Sequence, residues 1–213
     1  MQVMILASNS PRRKQLLALG GWQFTVQPAN IDETPHPAEK PYAYTLRLAV
    51  EKARAVGQKE REGTLVVAAD TTVADGDAIL GKPNDTAEAF AMLTQLRGRS
   101  HWVYTAVAVF YQGKLYTEVG ETEVSMRDYS DEEIRAYVAT GDPLDKAGAY
   151  AIQHAGFRPV AQIHGCYANV MGLPLCHLAR LLARLKIPHA PDLPEACQKM
   201  LFHACPVYRH ILE

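Results

Sequence analysis

The feature that most constrains this chain is a run of five apolar residues, Leu65-Val66-Val67-Ala68-Ala69, which is followed directly by Asp70. An unbroken apolar run of this length is typical of a strand that is buried on both faces, as in a parallel or mixed sheet. Ligands of open α/β sheets bind beyond the carboxyl ends of the strands, where we expect Asp70 to lie. Aspartate also ends strands as a turn former, so its position alone does not distinguish a catalytic carboxylate from a structural one. The run therefore predicts an α/β fold with a candidate site at Asp70.

The length and the net charge of the chain narrow its domain organisation and its binding partners. With 213 residues, of which 48% are hydrophobic, the chain is long enough for one large α/β domain or for two lobes that share a sheet. A formal net charge of −1 argues against broad electrostatic capture of nucleic acid or anionic lipid. No basic segment typical of a signal peptide precedes the first apolar run, and no apolar run reaches the roughly 18 residues that span a bilayer. We therefore expect a cytoplasmic protein that binds neither membrane nor nucleic acid.

The cysteines give no sign of a disulfide framework. Cys166, Cys176, Cys197 and Cys205 are scattered without a C-x-x-C pair, which is typical of reduced thiols in a cytosolic protein. His203 lies near the last two, but the spacing fits no common zinc site. We therefore expect free thiols and no zinc.

Hydrophobic periodicity predicts further strands and helices around the central run. The predicted strands span residues 3–7, 24–26, 102–111, 115–126 and 160–163, and two of the predicted helices span residues 43–56 and 175–185. Ser130 with Glu133 predicts a capping box at the start of another helix. Residues 188–213 are expected to form a peripheral helix and tail after a main domain of residues 1–187.

The turn between the first strand and the first helix is a candidate anion site. Ser10 is a good N-cap, Pro11 suits the first helical position, and Arg12 and Arg13 follow in the first turn. Helix N-termini favour anions, and arginine can bind a phosphate through two hydrogen bonds. The alternative is an ordinary capped helix with solvated arginines. Cations are unfavourable in a first helical turn, so we favour a phosphate or carboxylate site.

Other charged residues are candidates of lower specificity when taken singly. Glu33 is one of two adjacent loop carboxylates, which are usually solvated but are also hard oxygen ligands suited to Mg²⁺ or Mn²⁺. Lys52 lies at the border of an apolar helix face, where a lysine commonly extends its charge to solvent. Lys82 is held between a glycine and a proline. Asp145 and Lys146 begin a segment of small residues that a ligand can approach closely.

Seven short motifs occur together in one order along the chain. They are L-A-S-x-S-P-R-R at residues 6–13, I-D-E at 31–33, E-K-A at 51–53, A-D-T at 69–71, G-K-P at 81–83, D-K-A-G-A-Y at 145–150 and N-V-x-G-L-P at 169–174. In this combination the sequence resembles the Maf family of nucleoside triphosphate pyrophosphatases, also called septum formation inhibitor-like proteins. The resemblance extends from residue 5 to about residue 185.

The resemblance implies a fold and a reaction. The fold is a mixed twisted sheet with flanking helices in two lobes, similar to the inosine triphosphate pyrophosphatases, with the nucleotide in the cleft between the lobes. The reaction is hydrolysis of a nucleoside triphosphate to the monophosphate and pyrophosphate with a divalent cation, Mg²⁺ or Mn²⁺. A homodimer is a further expectation from the family.

The resemblance also implies roles for the candidate residues. Asp70 is implied to be the proton acceptor that activates water, and Glu33 to hold the metal with it, although the sequence does not divide these two roles firmly. Lys52 and Lys82 are implied to lie around the phosphates and to take part in catalysis.

Four more residues are expected to bind the nucleotide. Ser8 and Arg13 are implied to contact the phosphates, and we expect Asp145 and Lys146 to join the phosphate and metal shell.

Substrate choice in the family is associated with three positions, which here are Arg12, Thr71 and Gln153. This combination resembles the branch that acts on dTTP and UTP, whereas the branch that acts on 7-methyl-GTP has Trp, Asp and Glu there. A glutamine amide can donate to and accept from the O4 and N3–H edge of a pyrimidine, whereas an acidic side chain suits guanine. His154 departs from the family, where Gly is common after the glutamine; its side chain either narrows the base pocket or points outward.

Three functions are consistent with these residues. The first is a metal-dependent dTTP and UTP pyrophosphatase that clears modified pyrimidine nucleotides from the pool. The second is the same chemistry on 7-methyl-GTP, and the third is a nucleotide-binding regulator of septum formation. The intact set of charged residues favours an enzyme over a binding protein, and Arg12, Thr71 and Gln153 together favour the pyrimidine substrates.

Overall fold

The computed structural model describes residues 3–213 and shows a mixed α/β fold, as predicted. Within these residues, seven strands, β1 to β7 in chain order, span Met4–Leu6, Phe24–Val26, Leu65–Asp75, Ala78–Leu80, Ser100–Tyr111, Lys114–Met126 and Val160–His164. They form one sheet in the order β2-β1-β3-β5-β6-β7, with β4 paired to the far end of β3. β1 is parallel to β2 and β3, whereas the other pairs are antiparallel.

Helices pack against both faces of the sheet. The α-helices α1 to α8 span Pro11–Ala18, Pro41–Gly57, Thr86–Leu96, Asp131–Val138, Tyr167–Val170, Leu175–Arg184, Leu193–Leu201 and Tyr208–Leu212. Two short 3₁₀ turns, Asp142–Asp145 and Ala147–Ala149, follow α4. No helix among residues 3–213 is both long and apolar enough to cross a membrane.

The hydrophobic core is divided into two lobes that meet along β3. Residues 65–69 are completely buried, alternately with the apolar side chains of α1 and α6 on one face and of α2 on the other. Farther along the same strand, Val73 packs with Leu93 of α3 and Ile134 of α4. We call these regions the larger lobe and the smaller lobe. Asp70 lies at the boundary between them.

The central strand is longer than its apolar run. We expected Asp70 at the carboxyl end of the strand, but β3 continues to Asp75 and Asp70 lies at its middle. The expectation was wrong because residues 70–74 remain paired with β5, from Asp70 opposite Ala106 to Ala74 opposite Trp102. The carboxylate is therefore held by regular sheet backbone on both sides rather than by a loop.

Local signals predicted the helix starts well. The Ser10 hydroxyl accepts the backbone N–H of Arg13 with Pro11 at the first helical position, and Ser130 with Glu133 forms a complete capping box. α2 is longer than the predicted 43–56, because Pro41 occupies its first position and the helix runs on to Gly57.

The C-terminal segment packs closely against the larger lobe. The Trp22 indole donates to the Pro188 carbonyl at 2.9 Å, and the backbone N–H of Ala190 donates to the Gly20 carbonyl at 2.9 Å. Leu193 of α7 is completely buried in the core of that lobe. The division into residues 1–187 and 188–213 remains a prediction, but these contacts join the segment to the fold.

Replacing Leu193 by Ala is expected to lower the free energy of unfolding by about 2–5 kcal/mol, because the change leaves a cavity in a close-packed core. Chemical denaturation monitored by circular dichroism measures the loss. The control is Phe202→Ala directly after the same helix, where the side chain is 98% exposed; a change within about 0.5 kcal/mol is expected there. Equal effects of the two substitutions would show that α7 does not contribute to the core.

Candidate active site

The centre of the site is a line of three charged side chains from three parts of the chain. Lys52 of α2 places its Nζ 2.6 Å from Oδ1 of Asp70 on β3 and 2.8 Å from Oε1 of Glu33. Lys52 and Asp70 are buried, whereas 56% of the Glu33 side chain is exposed. Burial of a charge is tolerated when the charge is paired, and here the lysine neutralises the buried aspartate while Glu33 faces the solvent. Lys52 is therefore buried in the site rather than extended from the helix border.

The protonation of Asp70 is altered by its surroundings. Burial raises the pKa of its carboxyl, although the charges of Lys52 and Arg13 act in the opposite direction. Burial likewise lowers the pKa of the Arg13 guanidinium, against the effect of Asp70. A carboxylate of raised pKa is a stronger base than a solvated one, which suits it to accept a proton from water.

The turn between β1 and α1 directs cations and hydroxyls into the same space. The Arg13 guanidinium donates to the Ser8 hydroxyl at 3.3 Å, to the Thr71 hydroxyl at 3.0 Å and to the Gly172 carbonyl at 2.8 Å. Gly172 has a φ of +104°, and a Cβ there would lie 3.4 Å from the Arg13 Nε. A larger residue at this position would therefore strain the backbone and crowd the Thr71 hydroxyl, which would lie 3.2 Å from the added Cβ.

Two loops bring Lys82 and Lys146 to the side of the site that lies opposite the turn between β1 and α1. Lys146 is buried, and its Nζ donates to Asp145 Oδ1 at 2.5 Å and to Asp142 Oδ1 at 2.9 Å. The backbone N–H of Gly148 donates to the Gly81 carbonyl at 3.0 Å, which ties this segment to the loop of Lys82. Lys82 is exposed, and no other residue among 3–213 forms a hydrogen bond or ion pair with its side chain.

These groups line one cleft of about 860 Å³ at the boundary of the two lobes. Every site residue predicted from the sequence lines it: Ser8, Arg12, Arg13, Glu33, Lys52, Asp70, Thr71, Lys82, Asp145, Lys146 and Gln153. The cleft thus combines five cationic side chains with carboxylates, which is suited to a polyanionic ligand that reacts with water.

His154 points away from the cleft. Its Nδ1 accepts the backbone N–H of Phe157 at 2.9 Å, and its ring packs on Tyr137 with centroids 4.6 Å apart. His154 is absent from the cleft lining, whereas its neighbour Gln153 is exposed and lines it. Of the two alternatives for this departure from the family, the structure supports the outward orientation.

The loop that carries Glu33 is fastened by residues that the sequence did not single out. The Tyr44 hydroxyl donates to the Glu33 carbonyl at 2.8 Å, and the Arg47 guanidinium donates to the Thr34 carbonyl at 3.2 Å and to Glu39 Oε1 at 2.7 Å. All these donors lie in the first two turns of α2, where Tyr44 and Arg47 are half-buried. The spacing of Arg47 and Glu51, one helical turn apart, predicts only an ion pair within α2, so no local pattern of the sequence indicates the contacts with the loop.

His101 and the cysteines have structural positions. His101 is buried with its Nε2 2.8 Å from the Tyr150 hydroxyl, and burial lowers its pKa to about 4. The cysteines are free thiols, and burial raises the pKa of Cys166 to about 12. Within the described part of the chain, no group of three or more His, Cys, Asp or Glu side chains is arranged to hold a metal ion.

Comparison with known proteins supports the family resemblance that the seven ordered motifs indicated. The model of the Maf family, described as Maf-like protein, matches residues 3–185. This chain belongs to the Maf family. The match agrees with the resemblance expected over residues 5–185.

Curated members of the Maf family are similar over most of their length. A protein of Myxococcus xanthus (strain DK1622) named dTTP/UTP pyrophosphatase is 50% identical over 87% of this chain and 94% of its own length. A protein of the same name from Desulfotalea psychrophila (strain LSv54 / DSM 12343) is 47% identical over 84% of this chain and 92% of its own. Among solved structures, a nucleoside-triphosphatase / dITP/XTP pyrophosphatase from Mycobacterium abscessus is 18% identical, with a TM-score of 0.46 over 86% of this chain and 94% of its own.

The charge balance at Asp70 can be tested directly. Replacing Lys52 by Met is expected to raise the pKa of Asp70 further, because it removes the opposite charge 2.6 Å away. Titration of the ¹³C carboxyl signal of Asp70 by NMR measures this. The control is Lys82→Met, which removes a cation of the same cleft that does not contact the carboxylate and is expected to give a much smaller shift. A pKa unchanged by Lys52→Met would contradict the pairing.

Proposed function

We propose that this chain hydrolyses dTTP and UTP, and modified pyrimidine analogues, to the nucleoside monophosphate and pyrophosphate. The observation that carries the proposal is the line Glu33–Lys52–Asp70 in a cleft whose lining holds four further cations, Arg12, Arg13, Lys82 and Lys146. A triphosphate requires positive charge along its length and a base near the phosphorus that reacts. Membership of the Maf family and the names of its similar relatives support the same reaction.

Asp70 is the proposed proton acceptor. Water adds to phosphorus, the bond between the α-phosphate and β-phosphate breaks, pyrophosphate leaves, and Asp70 takes the proton of the water. Its raised pKa makes the carboxylate a better base, and its place on a paired strand fixes it relative to the cations. Lys52, held against Asp70 in the structure, is available to neutralise phosphate charge.

The cations around the cleft are proposed to bind the phosphates. Arg13 and Ser8 approach from the turn before α1, and Lys82 and Lys146 from the opposite loops, with Asp145 beside Lys146. Preorganised cations stabilise the charge that develops on phosphate oxygens as the bond breaks.

A divalent cation, Mg²⁺ or Mn²⁺, is proposed as cofactor. Glu33 and Asp70 each place a carboxylate oxygen within 2.8 Å of the same Lys52 Nζ, so both reach one point of the cleft. Two carboxylates completed by phosphate oxygens and water form a common Mg²⁺ shell, which fits the lack of a larger acidic group among residues 3–213. When bound there, the ion would neutralise charge on the phosphate oxygens.

Gln153, Arg12 and Thr71 are proposed to select the base. The exposed Gln153 amide lines the cleft and has both a donor and an acceptor to offer to the O4 and N3–H edge of uracil or thymine. We still expect an enzyme of the cytoplasmic nucleotide pool that forms a homodimer and binds neither nucleic acid nor membrane.

Pyrophosphate release from a panel of dTTP, UTP, CTP, GTP and 7-methyl-GTP tests the proposal. We expect the fastest turnover on dTTP and UTP, its loss in EDTA and its return with Mg²⁺ or Mn²⁺, because the carboxylates of Glu33 and Asp70 repel the phosphates unless a divalent cation lies between them. Preference for 7-methyl-GTP would support the proposed reaction but contradict the proposed role of Gln153 in selecting a pyrimidine base. Binding of nucleotides without turnover would favour the regulatory alternative.

Replacing Asp70 by Asn tests the assigned base. The amide keeps the shape of the side chain but cannot accept the proton, so kcat is expected to fall by about 10²–10⁴ while the protein remains folded. The control is Asp75→Asn on the same strand, where the carboxylate lies outside the cleft and binds Arg99. Turnover of the Asp70→Asn protein at the unmodified rate would remove Asp70 from the mechanism.

A further inference from the structure

Tyr137 of α4 is a buried residue outside the cleft lining that contacts two parts of the cleft wall. It is 3% exposed. Its hydroxyl donates to Asp142 Oδ2 at 2.6 Å and accepts the backbone N–H of Ala151 at 3.0 Å. Neither contact is local to one turn of the chain: Asp142 follows α4, and Ala151 lies beyond both 3₁₀ turns.

The first contact leads to Lys146. While one oxygen of the Asp142 carboxylate accepts the Tyr137 hydroxyl, the other accepts the Lys146 ammonium at 2.9 Å, and the Asp142 carbonyl accepts it at 2.7 Å. Hydrogen bonds to both oxygens fix the rotation of a carboxylate, and a fixed carboxylate fixes the cation that it holds. Tyr137 therefore orients Lys146 through Asp142.

The second contact leads to Gln153. Ala151 begins the turn that carries Gln153, since the backbone N–H of His154 donates to the Ala151 carbonyl at 3.0 Å. The same turn is held on the ring of Tyr137, where His154 packs at 4.6 Å and Phe157 stacks at 4.3 Å with an interplanar angle of 16°. Hydroxyl and ring of one tyrosine thus restrain the turn from two directions.

We propose that Tyr137 is a positioning residue that sets the spacing and orientation of Lys146, which faces the phosphates, relative to Gln153, which faces the base. The inference rests on the proposed function of the cleft. A glutamine amide of fixed orientation distinguishes the O4 and N3–H edge of uracil from the amino and N3 edge of cytosine, whereas an amide free to turn over fits both. Tyr137 accordingly contributes to selection of UTP over CTP without contacting either.

Tyr137→Phe is the decisive variant, because it retains the ring contacts with His154 and Phe157 and removes only the hydroxyl. The Asp142 carboxylate then loses a donor and the N–H of Ala151 loses its acceptor. We expect KM for UTP to rise about tenfold and the ratio of kcat/KM for UTP over CTP to fall about tenfold, as one lost buried hydrogen bond predicts, with kcat for UTP changed much less.

Tyr129→Phe is the matched control. Tyr129 is also buried, its ring lies 4.8 Å from that of Phe157, and its hydroxyl donates at 2.8 Å to the Leu93 carbonyl rather than to a segment of the cleft. This variant is expected to lose stability to a similar extent, with KM and the UTP to CTP ratio unchanged. Hydrogen–deuterium exchange adds a readout without substrate: Tyr137→Phe should speed exchange in residues 151–157, and Tyr129→Phe should not.

The outcomes separate the two proposals. If the unmodified protein hydrolyses UTP and the two variants alter KM and the UTP to CTP ratio equally, or neither does, Tyr137 has no positioning role. If the unmodified protein releases no pyrophosphate from any nucleotide, the proposed function fails and the inference fails with it.

Discussion

The buried ion pair between Lys52 and Asp70 is the interaction on which the rest of the cleft depends. Each charge is buried beside its opposite, which offsets the cost of removing it from water, so helix α2 and strand β3 must meet with both groups in register. Neighbouring residues of small size make this possible, since Ala53 and Ala68 are completely buried where the helix lies on the sheet. Glu33 contacts Lys52 from a loop that is held separately, by hydrogen bonds from Tyr44 and Arg47 of α2. The charge arrangement is thus fixed by the packing of apolar residues around it.

Much of the fold and of the site could be predicted from the sequence because the signals were local or came from ordered motifs. Ser10 and Ser130 indicate helix starts through hydrogen bonds that span three residues, and Pro11 does so because it lacks a backbone N–H; the structure confirms all three. All the proposed site residues line one cleft because the motif order reflects a family fold. Their roles remain predictions, since lining a cleft is not the same as acting in it.

What the sequence did not predict depends on the pairing of strands and on the conformation of turns, which local patterns do not determine. The position of Asp70 within β3 was wrong because an apolar run reports burial, whereas the length of a strand depends on its partner, here β5. In the sequence, Tyr137 has the position of an ordinary residue on the apolar face of α4. Its contacts with Asp142 and Ala151 depend on the conformation of the turns between them. The orientation of His154 was likewise undecided until Phe157 and Tyr137 were seen beside it.

The continuity of β3 and β5 through both lobes has a mechanical consequence. Nine consecutive residue pairs, from Val66 opposite Phe110 to Ala74 opposite Trp102, join the two strands across the lobe boundary. A hinge at that boundary would have to break backbone hydrogen bonds of a buried sheet, whose loss is unfavourable without water to replace them. A change in the angle between the lobes would therefore require the shared sheet itself to bend, whereas Glu33 and Lys82 lie outside the paired strands, at the rim of the cleft.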